Sequence, residues 1–166
     1  VAIRDAVLNP HAKEAIENAD YIIIGPGNHY CSVLPNLVVS GCKEAFFNTK
    51  AKIVYIVNLT NKKGHTHGWG ASDYVLDIEN YIGKKLDFIL INNESPSEEQ
   101  IHTYEITEGD GVMVLNNMHT DPRIIESNLI SKKITVNQKK DVLASLRSFI
   151  RHDSVLLKEA VAKLLI

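Results

Sequence analysis

The sequence predicts an α/β fold, a Rossmann-like parallel sheet with flanking helices. Three observations carry that prediction. Short apolar runs recur at 21–24, 52–58 and 86–91, and helical periodicity lies between them. That alternation of strand, loop and helix is the signature of βαβ units. Each run is nearly continuous in Ile, Val, Leu, Tyr and Phe rather than alternating, as expected of strands buried on both faces. The crossovers joining such strands are right-handed almost without exception.

Taken in order, Asn9-Pro10 opens a first helix, because Asn caps well and Pro suits the first helical position. Ala12, Ala15, Ile16 and Ala19 give it a narrow apolar stripe. Tyr21–Ile24 is the first strand and ends at Gly25-Pro26-Gly27. Ser32–Asn48 is helical with a break at Ser40-Gly41. Lys52–Asn58 is the second strand, and 61–70 is a polar, glycine-containing loop. A helix begins at Ala71-Ser72-Asp73, carries Tyr74, Val75, Ile78 and Ile82, and ends at Gly83. Leu86–Ile91 is the third strand. Beyond Asn92 the pattern weakens. It predicts a short helix over 96–103, a strand over 111–115, a short helix from Asp121-Pro122-Arg123 and a strand over 134–136. Residues 142–150 are amphipathic, and a last helix over 153–165 is capped by Asp153-Ser154.

Composition narrows the class of function. The chain has 166 residues, is 45% hydrophobic and 23% charged, and carries a net charge of -2. That suits one α/β domain with a real core, and it gives no electrostatic case for nucleic acid or an anionic membrane. No apolar run reaches the roughly 18 residues of a membrane span. The N-terminus lacks the pattern of a secretory signal, and two cysteines, Cys31 and Cys42, form no disulfide framework. A reducing, cytoplasmic setting is expected. The first 20 residues hold little strand material, so the chain reads as a single α/β domain or the C-terminal part of a larger one.

The strongest candidate site is Gly25-Pro26-Gly27-Asn28-His29-Tyr30-Cys31-Ser32, between a strand and a helix. Ligands of open α/β sheets bind beyond the carboxyl ends of the strands. Gly25 and Gly27 would let the backbone approach a ligand, and the next helix would offer N–H groups to a phosphate. A simple tight turn explains the same glycines, since the full G-x-G-x-x-G is absent. Asn58 and the loop Gly64-His65-Thr66-His67-Gly68-Trp69-Gly70 should face the same cleft. His65 and His67 have the spacing of a strand-like ligand pair, but a metal needs a third ligand, for which only His29 or Cys31 is near. Solvated or substrate-facing histidines are the simpler reading, and no metal is assigned. Asp73 caps its helix or holds a sugar hydroxyl. Cys31 as nucleophile would need His29 or His65 as base; a packed thiol is simpler. Glu94 is an acid–base candidate or a solvated carboxylate. Arg151 suits bidentate pairing with phosphate or is a surface cation. No catalytic triad or P-loop appears, so no catalytic residue is assigned.

These residues resemble a known family. Tyr21 through Leu37, with Gly25-Pro26-Gly27-Asn28-His29-Tyr30-Cys31-Ser32 and Pro35-Asn36-Leu37, resembles a Gly-Pro-Gly-Ser-Leu-Tyr-Thr-Ser-x-x-Pro-Asn-Leu motif. Asn58 through Ala71-Ser72-Asp73 resembles a second motif, and Arg151-His152-Asp153 a third. All three belong to the gluconeogenesis factor (YvcK-like) family, related to the phospho-lactate transferase CofD. Asn28, His29 and Cys31 stand where Ser, Leu and Thr are usual, and His65 and His67 where acidic residues are usual. Residues 116–140 do not match.

The resemblance implies a Rossmann-like fold and a nucleotide or nucleotide-sugar ligand, a UDP-sugar above all; no cofactor is assigned beyond that ligand. It implies a regulator of carbon metabolism, cell shape and envelope synthesis; the alternative is a transferase of the 2-phospho-L-lactate type. By motif position Gly25, Pro26, Gly27, Asn28, Tyr30, Ser32, Asn36, Asn58 and Asp73 line the cleft. Tyr104 would stack on the ligand and Arg151 pair with its phosphate. An exposed sheet edge leaves a homodimer open.

Overall fold

The computed structural model describes residues 6–132 and 150–165. Its centre is a parallel sheet of four strands in the order β1-β2-β3-β4: β1 (Tyr21–Ile24), β2 (Lys52–Ile56), β3 (Phe88–Asn92) and β4 (Ile124–Ser127). The helices are α1 (Pro10–Asn18), α2 (Leu34–Leu37), α3 (Cys42–Asn48), α4 (Ala71–Ile82), α5 (Glu98–Glu108) and α6 (Ser154–Ala162). The strand order follows the chain, so successive crossovers step in one direction and leave α3 and α4 on one face.

Side chains alternate across that sheet. Ile53 and Tyr55 of β2 and Ile89 and Ile91 of β3 point to one face, where they pack with Tyr74, Ile78 and Phe46 from α4 and α3. Ile56 and Leu90 point the other way, onto Leu129 and Ala160 of α6. Burying each large aliphatic side chain stabilises by about 1.5–3 kcal/mol relative to exposure. The central strands are thus buried on both faces as the apolar runs predict. β1 is different. It has a partner on one side only among the described residues, and its Ile23 is 45% exposed. An apolar run therefore overstates the burial of this edge strand.

Local chemistry explains the helix ends. The Asn9 side chain accepts from the His11 N–H, with Pro10 at the first helical position. Asp153 accepts from the Val155 and Leu156 N–H groups. Gly83 closes α4 with a φ of 70°, a left-handed value that glycine adopts without steric cost. Further on, three expectations are corrected. α5 starts where Ser97 and Gln100 cap each other and runs past the predicted end to Glu108, stopping at Gly109, whose φ of 86° leaves the helix. Residues 111–115 form no strand of the sheet; Met113 makes only an isolated antiparallel bridge to Thr60. Asp121-Pro122-Arg123 starts no helix. The Asp121 carboxylate takes the Arg123 N–H and guanidinium and turns the chain into β4. The expectations for 134–136 and for 142–149 lie outside the described residues.

Candidate functional site

Parallel strands bring their C-terminal ends to one edge, and two asparagines fasten the loops there. Asn58, just past β2, faces Gly27, just past β1. The Gly27 N–H donates to Asn58 Oδ1 at 3.1 Å, and Asn58 Nδ2 donates to the Gly27 carbonyl at 2.8 Å. Asn92 repeats the device one strand over: the Leu129 N–H donates to its Oδ1 at 3.0 Å, and its Nδ2 donates to the Glu94 carbonyl at 2.6 Å. Two loops that are 31 residues apart in sequence are thereby held as one rim.

The β1 loop is held from within as well. The Asn28 carbonyl accepts from the N–H groups of Cys31, Ser32 and Val33, and its side chain accepts from Cys31. Residues His29–Val33 form a π-helical turn that runs into α2. Asn36 folds back onto the Ser32 carbonyl at 2.7 Å. The first-turn amides that the sequence offers to a phosphate are therefore engaged by the loop itself. Neither Gly25 nor Gly27 has a positive φ, so neither is needed for a left-handed turn. They differ in surroundings. A Cβ on Gly27 would meet Ser32 and Val33 at 3.3 and 3.4 Å, whereas one on Gly25 would meet nothing within 4 Å.

Next to the rim lies an aromatic cluster that sequence reasoning found only in part. His29 is buried, and its Nε2 lies 2.6 Å from Asp77 Oδ2 on α4. Its ring meets Tyr30, Trp69 and Tyr74 edge-on, at centroid distances of 5.1, 5.2 and 5.3 Å. Tyr30 in turn meets His65 at 5.9 Å and Trp69 at 6.1 Å. Tyr74 is fully buried; its hydroxyl donates to Asn61 Oδ1 and accepts from the Thr66 hydroxyl. Burial pushes the Tyr74 phenol up, more than its hydrogen bonds lower it. Asp77 was missed, Tyr74 was read only as a core position of its helix, and Asn61, Thr66 and Trp69 only as parts of the loop after β2. A signal for Asp77 was available: it stands one helical turn after Asp73, on the same side of α4.

Asp73 is a cap. Its Oδ2 accepts from the Gly70 N–H at 2.8 Å. Asn117 takes the Ser72 N–H, and the Leu115 carbonyl takes the Ala71 N–H, so the first amides of α4 are occupied by protein. The loop histidines diverge: His65 lies against Tyr30, while His67 lies beside Gly109. Among the described residues no group of three or more His, Cys, Asp or Glu could hold a metal ion. Cys31 is exposed rather than packed, and the buried thiol is Cys42. Glu94 is exposed.

Tyr104 and Arg151 lie at the β4 side of the same edge. The Tyr104 hydroxyl accepts from Thr60 at 3.1 Å, and its ring packs on Leu59, Ile130 and Ile150. The Arg151 carbonyl accepts from the Ser131 N–H. Its neighbour His152 bridges to Ile130 and donates to the Val57 carbonyl, bringing this segment to the residue before Asn58. Burial lowers the His152 imidazole to about 4, with the Val57 contact opposing the shift.

Fold and site together define a Rossmann-like α/β protein whose polar rim and aromatic cluster stand at the C-terminal edge of a parallel sheet. Comparisons with known proteins agree with that class. The family model described as 2-phospho-L-lactate transferase CofD matches residues 1–136. A protein of Thermotoga maritima named putative gluconeogenesis factor is 36% identical over 155 residues, which is 93% of this chain and 47% of that protein. A putative gluconeogenesis factor of Clostridium acetobutylicum is 32% identical over 92% of this chain and 31% of its own length. Two crystal structures of a Bacillus halodurans protein, one described as a member of the UPF0052 family, share 30% identity with TM-scores of 0.78 and 0.76. Each match covers 96% of this chain and 48% of the solved one.

The chain belongs to the CofD family, among relatives named gluconeogenesis factor. It spans about half the length of the Thermotoga relative and of the solved structures. No helix among the described residues is long and apolar enough to cross a membrane.

Proposed function

We propose that this chain supplies one wall of a nucleotide-sugar site, with a UDP-sugar as ligand, in a regulatory binding protein of carbon metabolism, cell shape and envelope synthesis. The observation that carries the reading is the reciprocal Gly27–Asn58 pair. It joins the two loops that bear the family motifs into one rim at the strand ends, where α/β sheets hold their ligands. The names of the curated relatives favour a role in gluconeogenesis. Gly25 offers open backbone for close approach, Tyr104 a ring, and Arg151 a cation for phosphate.

The test is thermal unfolding of the purified full-length protein with UDP-sugars, guanosine nucleotides and phospho-lactate. A ligand at about 100 times its Kd stabilises the native state by about 2.7 kcal/mol. A rise in Tm with UDP-sugars that Arg151→Ala removes is the expected result. No response to any UDP-sugar at millimolar concentration would overturn it. The description of the family model favours a second reading, a transferase acting on a nucleotide-linked donor. Turnover of such a donor, lost in Asn58→Ala, would favour the transferase.

A further inference from the structure

We infer that Tyr30, His65 and Trp69 form the subsite for the planar base of the nucleotide, which stacks against their exposed ring surfaces. This rests on the nucleotide-sugar reading and assigns the base to a place within that site. The three rings belong to the β1 and β2 loops, on the rim that Gly27 and Asn58 close. Tyr30 and Trp69 are half-buried and His65 is exposed, so each keeps ring surface toward solvent.

Their geometry suits one flat ring. Tyr30 stands at 88° to His65 and at 67° to Trp69. The steep angles set the three rings as a corner rather than a flat stack, and the inferred pose stacks the base on one exposed ring face there. The corner is held from behind. Buried His29 touches Tyr30 and Trp69 edge-on, and Trp69 also meets Tyr74 at 5.1 Å. The Trp69 carbonyl accepts from Asn61 Nδ2, and its N–H donates to the Thr66 carbonyl. A wall fixed this way loses little freedom on binding, which favours affinity.

The polar groups around the corner decide between a base and a sugar. A sugar ring needs partners for its hydroxyls. Here Asn58 is engaged by Gly27, Asn61 by Trp69 and Tyr74, Thr66 by Tyr74 and Lys62, and Asp77 by His29. What these three side chains present is π surface, with a phenol hydroxyl, an imidazole and an indole N–H at the ring edges to meet the polar edge of a base. Stacking of one base on an aromatic side chain corresponds to about 5- to 100-fold in affinity.

Trp69 is the one tryptophan of this chain, and the part of the emission change that Trp69→Phe removes reads this subsite. The experiment titrates the full-length protein with UDP, uridine, inorganic pyrophosphate and free glucose, following Trp69 emission and, in parallel, heat of binding. UDP and uridine should shift the emission, and pyrophosphate and glucose should not. Tyr30→Leu should weaken UDP about 5- to 100-fold and His65→Ala less, while Tyr30→Phe, which keeps the ring, retains wild-type affinity. If UDP binds with heat but leaves emission and the affinities of Tyr30→Leu and His65→Ala unchanged, the base lies elsewhere and only this inference falls. An emission change with glucose but not uridine would give the corner to the sugar and overturn it too. No heat with UDP or any UDP-sugar would overturn both this inference and the reading it rests on.

Discussion

Gly27 and Asn58 exchange two hydrogen bonds, of 3.1 and 2.8 Å, between loops that follow neighbouring strands. An amide side chain is the only kind that both donates and accepts with the spacing of a peptide group. Asn58 therefore acts as a piece of backbone that extends the β1–β2 ladder beyond Ile24 and Tyr55.

Asn58→Ala leaves the Gly27 N–H and carbonyl without partners in a half-buried place. Unsatisfied buried polar groups cost about 1–3 kcal/mol each, and partial access of water puts this variant at about 1–3 kcal/mol in all. Urea unfolding should show a lower midpoint with an unchanged m-value. A midpoint equal to wild type would mean that the rim is held by other contacts.

Gly25→Ala separates binding from folding. The added methyl meets nothing within 4 Å, and the backbone φ is not in the left-handed region. Stability should stay level or rise by about 0.5 kcal/mol, because alanine restricts the unfolded chain. Affinity for a UDP-sugar should fall at least about 10-fold, since the methyl would stand where the proposed ligand comes close to the backbone. Calorimetric titration of this variant alongside its unfolding curve checks both halves.

Glu79 is nearly buried at the end of α4, and its carboxylate accepts from Lys85, Arg123 and the Leu86 N–H. Burial pushes this carboxyl up, but those donors outweigh it and hold it below the usual range. Hydrogen bonds from the Arg123 side chain hold Asp121 down to about 2. Groups with lowered pKa stabilise the fold above the unfolded value near 4 and lose that contribution as pH falls toward the folded value. Glu79→Gln should cost about 2 kcal/mol at pH 7 and reduce the loss of stability as pH falls below about 4.5. Denaturant midpoints across that range would show it. An unchanged acid limb would exclude Glu79 as a contributor.

His152 gives a second, separate pH window. Unfolded, an imidazole takes a proton near 6.5; in the fold it does so only near 4. Between those values the unfolded state binds more protons. Stability is therefore full above about 6.5 and declines as pH falls toward 4, by on the order of 2–3 kcal/mol. His152→Gln should flatten the slope between pH 6.5 and 4.5 while leaving the carboxylate limb. Urea midpoints at pH 4.5, 5.5 and 7.5 suffice to see it.

The core of the fold was legible because it depends on local pattern. The apolar runs at Ile53–Val57 and Leu86–Ile91 could only be strands buried on both faces, and the caps at Asn9, Ala71-Ser72-Asp73 and Asp153 announce their helices. What failed was set by partners distant in sequence. Residues 111–115 have strand composition but find only the bridge to Thr60, and Asp121 turns the chain because Arg123 is held by Glu79. At the site, Gly27, Asn58, Tyr30 and His65 were recognised from the loops and stand together. Asp77 and Tyr74 were not: the spacing from Asp73 places Asp77 on the same side of α4, but nothing local announces a partner, His29, that lies 48 positions earlier. Asp73 had two readings, and its bond to Gly70 shows the cap.

The central claim is that the rim closed by Gly27 and Asn58 holds a nucleotide-sugar. Calorimetric titration of UDP-glucose and UDP-N-acetylglucosamine into the full-length protein, wild type and Gly25→Ala, tests it most directly. The account predicts saturable binding of a UDP-sugar to wild type, weakened at least about 10-fold in a variant that unfolds no earlier. Absence of binding to wild type at millimolar ligand, or equal affinity in the two proteins, would contradict it.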